Sequence, residues 1–505
     1  MRRSTIRALA ASAVLALVAG CGGTSTGADS PAGDVKPGQG QVVRWGTSTI
    51  PTSLDPATAG DAVQYVYLGL IYDSLVDADY DGTLHPQLAT EWKLSEDGKT
   101  VDFTLREGVT FQDGTPFTAD AVVASIEHFK SPESLLAGSL ALIESVEAVD
   151  DLHVRFKTNR PAGDLPNLMA GFAGMIVSPK SLKAGNTSTK PVGAGPFTVS
   201  KVTDAKITFE YWDGHWAADE IVPRGVEVGV FTDDAARLNA VKSGEIHAAI
   251  IRPNQLAEAE AAGLKTYEEP AATAYGLAIN ADHPVLGKPE VRKAISNAID
   301  RERISKFLLD GKCTVSAQPY PKEHIAHDDS IDEAPYVAYD PDKARAAIRQ
   351  AAPNGLSVTI LTPNVSAYQR LSEVLQEQLG KVGITAKIEA IDYADLLARK
   401  RAGDYDLIVT LFTASAPDVS TWAEQNYAVK AGSGKFIDPR IPDLITESRR
   451  SADPETRAKA FGQITRVALE AGTNQVVVCL PSHTFTSVAG ATGFAVNDPR
   501  RMNVP

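Results

Sequence analysis

The sequence predicts an α/β fold in which parallel strands carry helices on their faces. Apolar residues between 356 and 412 switch between strand and helix spacing in the order β-α-β-α-β, and glycines stand where the helices must stop. The chain is also large enough: 505 residues, 43% hydrophobic and 22% charged, can fill the cores of about two to four domains.

In chain order, Glu96-Asp97-Gly98 is a polar turn, and TVDFTLREGVTF (100–111) reads as a hairpin turning at Glu107-Gly108. Thr232-Asp233-Asp234 opens a helix through Leu238 and Val241 that ends at Gly244. Pro289, followed by Val291, Ala294, Ile295, Ala298 and Ile299, starts a helix with one apolar face. LSVTIL (356–361) is a short apolar strand; Leu371, Val374, Leu375, Leu379 and Val382 recur at helical spacing and stop at Gly383. ITAKIEAI (384–391) alternates as a strand, Asp392 caps a helix through Leu396 and Leu397, Gly403 closes it, and YDLIVTLF (405–412) is the third strand. A ligand crevice is expected beyond the carboxyl ends of such strands, making Thr413, Ser415, Asp418 and Trp422 the first candidates for its wall. No tandem repeat of solenoid length is present.

The N-terminus is different in kind. Arg2, Arg3 and Arg7 precede an apolar run, Ala8 to Ala19, that is shorter than the ~20 residues a membrane-spanning helix needs, so it reads as an export signal. Val18-Ala19-Gly20-Cys21 resembles the lipobox of bacterial lipoproteins, which makes Cys21 an acylated anchor; the alternative is an ordinary secretory signal ending near a cysteine. Residues 22–41 are rich in Gly, Ser, Thr and Pro and form a tether with a span of about 25 Å as a flexible coil. The body is therefore expected outside the cytoplasmic membrane, close to its outer face, and in contact with it through the lipid anchor alone.

Charge and cysteine content narrow the function. The 49 Lys and Arg against 63 Asp and Glu give a net charge of −14, and removal of residues 1–20 makes the chain more acidic still. With no basic run, a general nucleic-acid binder is disfavoured. Three cysteines exclude a disulfide-dense scaffold. Cys313 and Cys479 meet an oxidising compartment either as a disulfide or as two buried thiols.

Catalytic constellations are missing from the sequence. It has no GxSxG, Walker A, HExxH or GxGxxG placed after a strand, and Gly432-Ser433-Gly434-Lys435 lacks phosphate-loop spacing and reads as a surface loop. His324 and His327 with Asp328 and Asp329 have metal-ligand chemistry, but their stretch, PKEHIAHDDS, reads as an exposed loop. Asp55, Asp61 and Asp73 are acids near one another in sequence, with no sign that two of them face a glycoside. No metal or cofactor is predicted.

Four further segments carry a resemblance. LDPATAGDAVQYVYLGLIYDSLV (54–76), LHPQLATEWKLSEDGKTVDFTLREGVTFQDGTPFTADAVVASI (84–126), GAGPF (193–197) with ITFEYWDGHW (207–216), and VRKAISNAIDRERI (291–304) resemble the successive signatures of family 5 extracellular solute-binding proteins, receptor subunits of ABC importers for peptides, nickel and related solutes. The likeness runs from about 42 to 490. It implies a type II periplasmic-binding-protein-like fold of two hinged lobes, one bearing an inserted subdomain. Mapped here, lobe I is 42–72, 190–272 and 480–505, the inserted subdomain is 73–189, and lobe II is 273–479. Cys313 and Cys479 then share lobe II, which favours their pairing.

The resemblance also places ligand contacts. Peptide-binding members carry an aspartate for the peptide ammonium seven residues before an aromatic; counting back from Trp422 reaches Ser415, a departure from the pattern, with Asp418 the nearest acid. Asp418 also reads as a turn residue after Pro417. Arg370 stands near where some dipeptide binders place an arginine for the ligand carboxylate, and an exposed helix arginine is the alternative. Thr47 and Ser48 are expected contacts from lobe I, with Trp45, Trp422 and Tyr427 as apolar walls. The implied function is a monomeric, non-enzymatic receptor that closes on short peptides and hands them to a permease driven by a cytoplasmic ATPase. The loss of the acid at 415 leaves N-blocked peptides, glycosides and metal or nickel chelates open, with a secreted hydrolase as the rival class.

Overall fold

The computed structural model describes residues 36–59, 63–79, 81–269, 273–413, 418–428, 430, 435–495 and 498–505. The signal, Cys21, most of the tether, Asp61, Ser415 and Gly432 to Gly434 lie outside these residues. Two large sheets organise the rest.

The first sheet has seven strands. Gly40–Thr47 is central, parallel to Pro223–Val230 on one side and to Ala248–Ile251 on the other. His483–Ser487 pairs antiparallel with Ala248–Ile251 and Lys265–Glu269, and Lys206–Tyr211 and Phe197–Val202 extend the other edge. Val43, Trp45, Val226, Val228 and Phe209 from this sheet share one core with Phe103 and Phe156 of a small four-stranded sheet drawn from residues 89–158 and with Phe129 of the helix Ala119–Phe129.

The second sheet has six strands. Leu356–Pro363 is parallel to both Ile384–Ile391 and Leu407–Thr413, as the β-α-β-α-β reading requires. The helices Ser366–Lys381 and Tyr393–Ala402 connect them. Gly383 and Gly403 take left-handed backbone angles, φ 92° and 71°, that a side chain would strain. Thr273–Ile279, Gln475–Pro481 and Cys313–Val315 add antiparallel strands on the other side, so the sheet is mixed rather than wholly parallel. Both faces are covered: Leu407, Val409, Val476 and Val478 enter one core, and Ile408, Phe412, Val477 and Leu480 the opposite one.

The helix Asp234–Lys242 is capped by Asp233, whose carboxylate accepts from the Ala236 amide, and Pro289–Ala298 buries its apolar face as expected. The hairpin at Glu107-Gly108 does not form. Thr100–Leu105 instead turns back through residues 95–99 onto Ala89–Leu94 and pairs on its other side with His153–Thr158. Val109 and Phe111 are buried by packing, without a strand partner in the sheet. Cys313 and Cys479 form a disulfide within the second sheet. Among the described residues no helix is long and apolar enough to cross a membrane.

Candidate functional site

The two sheets are joined by neighbouring crossings. Glu269, which ends one strand of the first sheet, sits opposite His483, which begins another; the chain enters the second sheet at Thr273 and leaves it at Pro481. Register then dictates what faces the gap. Thr484 pairs with Ile251, so Ala248–Ile251 and its parallel neighbours Gly40–Thr47 and Pro223–Val230 end at this edge. In the second sheet Thr273 pairs with Thr413, so Leu407–Thr413, Leu356–Pro363 and Ile384–Ile391 also end there. Six carboxyl ends of strands thus converge on one crevice, the location open α/β sheets use for ligands.

Side chains at this edge are aromatic and charged. Tyr275 and Tyr368 meet edge to face at 5.8 Å, and Tyr393 stands exposed at the start of its helix. Burial raises the phenol pKa of Tyr275, opposed by the nearby positive charges of Arg252 and Arg370. Burial likewise raises Tyr368, again with Arg252 acting against it. Arg252 follows the strand Ala248–Ile251 and belongs to the first sheet, so its charge is felt across the crevice. It is held by Asp234 at 2.8 Å. Burial raises the Glu269 carboxyl and lowers the His483 imidazole.

The residues singled out from sequence fall into two groups. Arg370 is exposed near the start of Ser366–Lys381 and makes no ion pair among the described residues; Ser48 is half-buried just past its strand. Thr413 ends its strand opposite Thr273. The other residues are engaged inside the lobes. Thr47 Oγ1 lies 2.8 Å from Tyr67 Oη and donates to the Thr49 carbonyl at 2.9 Å. Asp418 caps the helix Val419–Asn426 through the Thr421 amide at 2.6 Å and ion-pairs with buried Arg457. Trp422 packs edge to face on Tyr427 at 4.9 Å, and Trp45 stacks on Phe494 at 5.6 Å, so all these aromatics line cores. Sequence reasoning missed Arg252, Tyr275 and Tyr368, whose only signal is their position at strand or helix ends facing the same edge.

The acids near the N-terminus are separately occupied. Asp55 accepts from Thr187 and holds His128 at 2.8 Å; Asp73 accepts from Gln87 and Trp216 and holds His215 at 2.8 Å. Asp55 and Asp73 thus have separate partners, Asp61 lies outside the described residues, and among the described residues no three His, Cys, Asp or Glu side chains gather around a metal position.

The stretch 321–330 is mostly loop, with Lys322, Glu323, Ile325, Asp329 and Ser330 exposed as expected, but His324 departs from that reading: it is 4% exposed, its ring 4.3 Å from that of Tyr320 and against Gly82. Its Nδ1 accepts from the Ala326 amide at 3.1 Å. Burial lowers its pKa to about 4, aided by His327 and opposed by Asp81. A histidine depressed below its unfolded value stabilises fully above about pH 6.5 and loses that contribution as pH falls towards 4. His324→Gln should therefore flatten the acid limb of stability by about 3 kcal/mol between those pH values, read by urea denaturation at each pH. An unchanged limb would mean that the ring is not held neutral.

Comparisons with known proteins agree with this architecture. The sequence model of the bacterial extracellular solute-binding proteins, family 5 Middle, matches residues 83–434. Di/tripeptide-binding protein 3 of Pseudomonas aeruginosa (strain UCBPP-PA14) is 26% identical over 463 residues, covering 83% of this chain and 86% of that one. Glutathione-binding protein GsiB of Salmonella paratyphi A is 30% identical over 435 residues, covering 81% and 83%. The solved structure of the ABC transporter-associated periplasmic binding protein DppA from Helicobacter pylori, in complex with peptide STSA, superposes with a TM-score of 0.77 at 25% identity, covering 93% of this chain and 98% of that one. The fold is thus the two-lobed type II periplasmic-binding-protein fold, and these relatives are substrate-binding proteins, not enzymes. With six strand ends facing one crevice and a family match across most of its length, the chain belongs to the bacterial extracellular solute-binding proteins of family 5, the extracytoplasmic receptors of ABC importers.

Proposed function

We propose that the protein, held at the outer face of the cell membrane by acylated Cys21, captures short peptides between its lobes and delivers them as a monomer to an ABC permease. Lobe I comprises 42–72, 190–272 and the C-terminal segment, with 73–189 inserted; lobe II runs from 273 to the second crossing. We place that crossing at Ser482, between Gln475–Pro481 and His483–Ser487. The observation that carries the reading is the crevice itself: strand ends from both sheets flank it, and Tyr275, Tyr368 and Arg370 supply an apolar wall and a free cation. Relatives matched over four-fifths of the chain are named for di- and tripeptides and for glutathione, itself a tripeptide. Closure needs no chemistry; contacts made to both lobes at once draw the population to the closed form.

Native mass spectrometry of the protein mixed with defined di- to tetrapeptides should show one intact peptide retained per molecule. Retention of a non-peptide solute alone would replace the cargo assignment, and recovery of cleaved peptide would replace the class. Arg370→Ala should weaken tri-alanine at least about tenfold while leaving the C-terminal amide of tri-alanine unaffected, because a charge-assisted hydrogen bond to the carboxylate is what is lost. Equal losses for both peptides in calorimetry would remove Arg370 from the site.

A further inference from the structure

Apart from the two chain crossings, the inserted subdomain touches lobe II directly. The Gly163 amide donates to the Arg449 carbonyl at 2.7 Å, and the Gly163 carbonyl accepts from Arg457 at 3.1 Å. Arg457 also donates to Asn167 Oδ1. Asp164, 5% exposed at its side chain, lies 3.0 Å from the 2% exposed Arg449. A second strip of the same contact joins the turn at Asp81-Gly82 to lobe II: the Ile325 amide donates to the Asp81 carbonyl at 3.0 Å, and Gly82 lies against the His324 ring.

Two features of this contact suit one that can be made and broken. It is polar, and neither the core of lobe I nor those of lobe II cross it, which is the character of a transient rather than a permanent interface. Each charge has a second partner within its own body: Asp164 keeps Arg160 at 2.8 Å, Arg449 keeps Glu424 at 2.7 Å, and Arg457 keeps Asp418 and Ser420. Separation therefore strands no buried charge, the event that makes breaking a buried pair so costly. The approach is also too close for any side chain at 163. A Cβ there would sit 1.9 Å from the Ser451 carbonyl oxygen and 2.8 Å from the Arg449 oxygen, both on the opposite body.

We propose that the inserted subdomain is a latch, docking residues 160–167 on the 449–457 corner to hold the lobes closed independently of any ligand. The latch rests on the hinged two-lobe reading and not on the identity of the cargo. Its free energy adds to that of ligand contacts in setting the closed population, so substitutions here tune affinity without touching the crevice.

Gly163→Ala tests this with a wedge that clashes only when docked. The protein is stripped of ligand in guanidinium, refolded and studied by small-angle X-ray scattering and amide hydrogen exchange. The wild type should scatter as the compact form. Gly163→Ala should scatter as a larger particle, with exchange at the Ile325 amide about tenfold faster or more and an unchanged thermal midpoint. Asp164→Asn, which keeps shape and removes the charge facing Arg449, should move both readouts in the same direction by less. A ligand-free wild type already expanded, or a Gly163→Ala protein as compact and protected as the wild type, overturns the latch. Since no ligand is added, either result leaves the peptide reading standing.

Discussion

Arg457→Met should destabilise the protein by about 3–5 kcal/mol, because it leaves the Asp418 carboxylate buried without its counter-charge. Asp418 is 1% exposed, and its surroundings were chosen for an anion: burial pushes its pKa up, but Arg457, Arg449 and the Thr421 amide hold it below the usual carboxylate range. A depressed carboxylate stabilises above its unfolded pKa near 4 and loses that contribution as pH falls through its folded one. Without Arg457 the largest of the influences that favour the anion is gone, Arg449 and the Thr421 amide remain, and burial pushes the carboxyl upward, so the added penalty should be largest at neutral pH and relieved in acid. Asp418→Asn placed on Arg457→Met should accordingly recover most of the loss, since an amide can still cap Val419–Asn426 without carrying charge. Denaturant midpoints of the two single variants and the double variant measure this coupling. A loss below about 1 kcal/mol, or a double variant no better than Arg457→Met, would show that the pair is not what keeps Asp418 ionised.

That pair also explains how far the candidate site could be read in advance. Asp418 was either a ligand acid or a local turn residue, and nothing nearby in sequence decides between them. The deciding group is Arg457, on the helix Pro454–Glu470, which becomes a neighbour only after folding. Tyr275 and Tyr368 were invisible for the same reason: one lies near the start of an antiparallel strand and the other near the start of a helix, and only the folded packing puts their rings 5.8 Å apart. His324 looked exposed because its own stretch is polar and sits among prolines, while the groups that bury it include Gly82, from the inserted subdomain.

Local pattern was legible where it matched a buried periodicity. Leu407 and Val409 go to one core and Ile408 and Phe412 to the other, and both helices between the parallel strands end at glycines in left-handed conformation. It misled at residues 106–111, where Val109 and Phe111 alternate like a strand but bury themselves by packing, and the true partner of Thr100–Leu105 is the more polar Ala89–Leu94. Alternation records which side chains leave water and not whether the backbone finds a partner.

The second large effect concerns the disulfide. Cys313 and Cys479 are separated by 166 residues and sit on adjacent strands, Val315 pairing with Cys479 and Cys313 with Pro481. Chain-entropy arguments give about 5 kcal/mol for closing a loop that long, and measured losses on removal commonly run about 2–4 kcal/mol. Because the loop encloses the three parallel strands and their helices and closes within the return strand Gln475–Pro481, the loss should fall on lobe II and spare the seven-stranded sheet. Trp422 can report this selectively, being the one tryptophan among residues 273–479 and buried beside Tyr427; Trp45, Trp92, Trp212 and Trp216 lie outside that segment. In the paired Cys313→Ala and Cys479→Ala variant, the urea transition followed as the difference between the protein and its Trp422→Phe form should move to lower denaturant by that amount. The transition followed by the remaining tryptophans should stay nearly where it is if the lobes unfold as separate units, as large multi-domain chains commonly do. Coincident shifts in both signals would mean that the lobes unfold together. No shift in the Trp422 signal would mean that the long loop is already constrained in the unfolded chain.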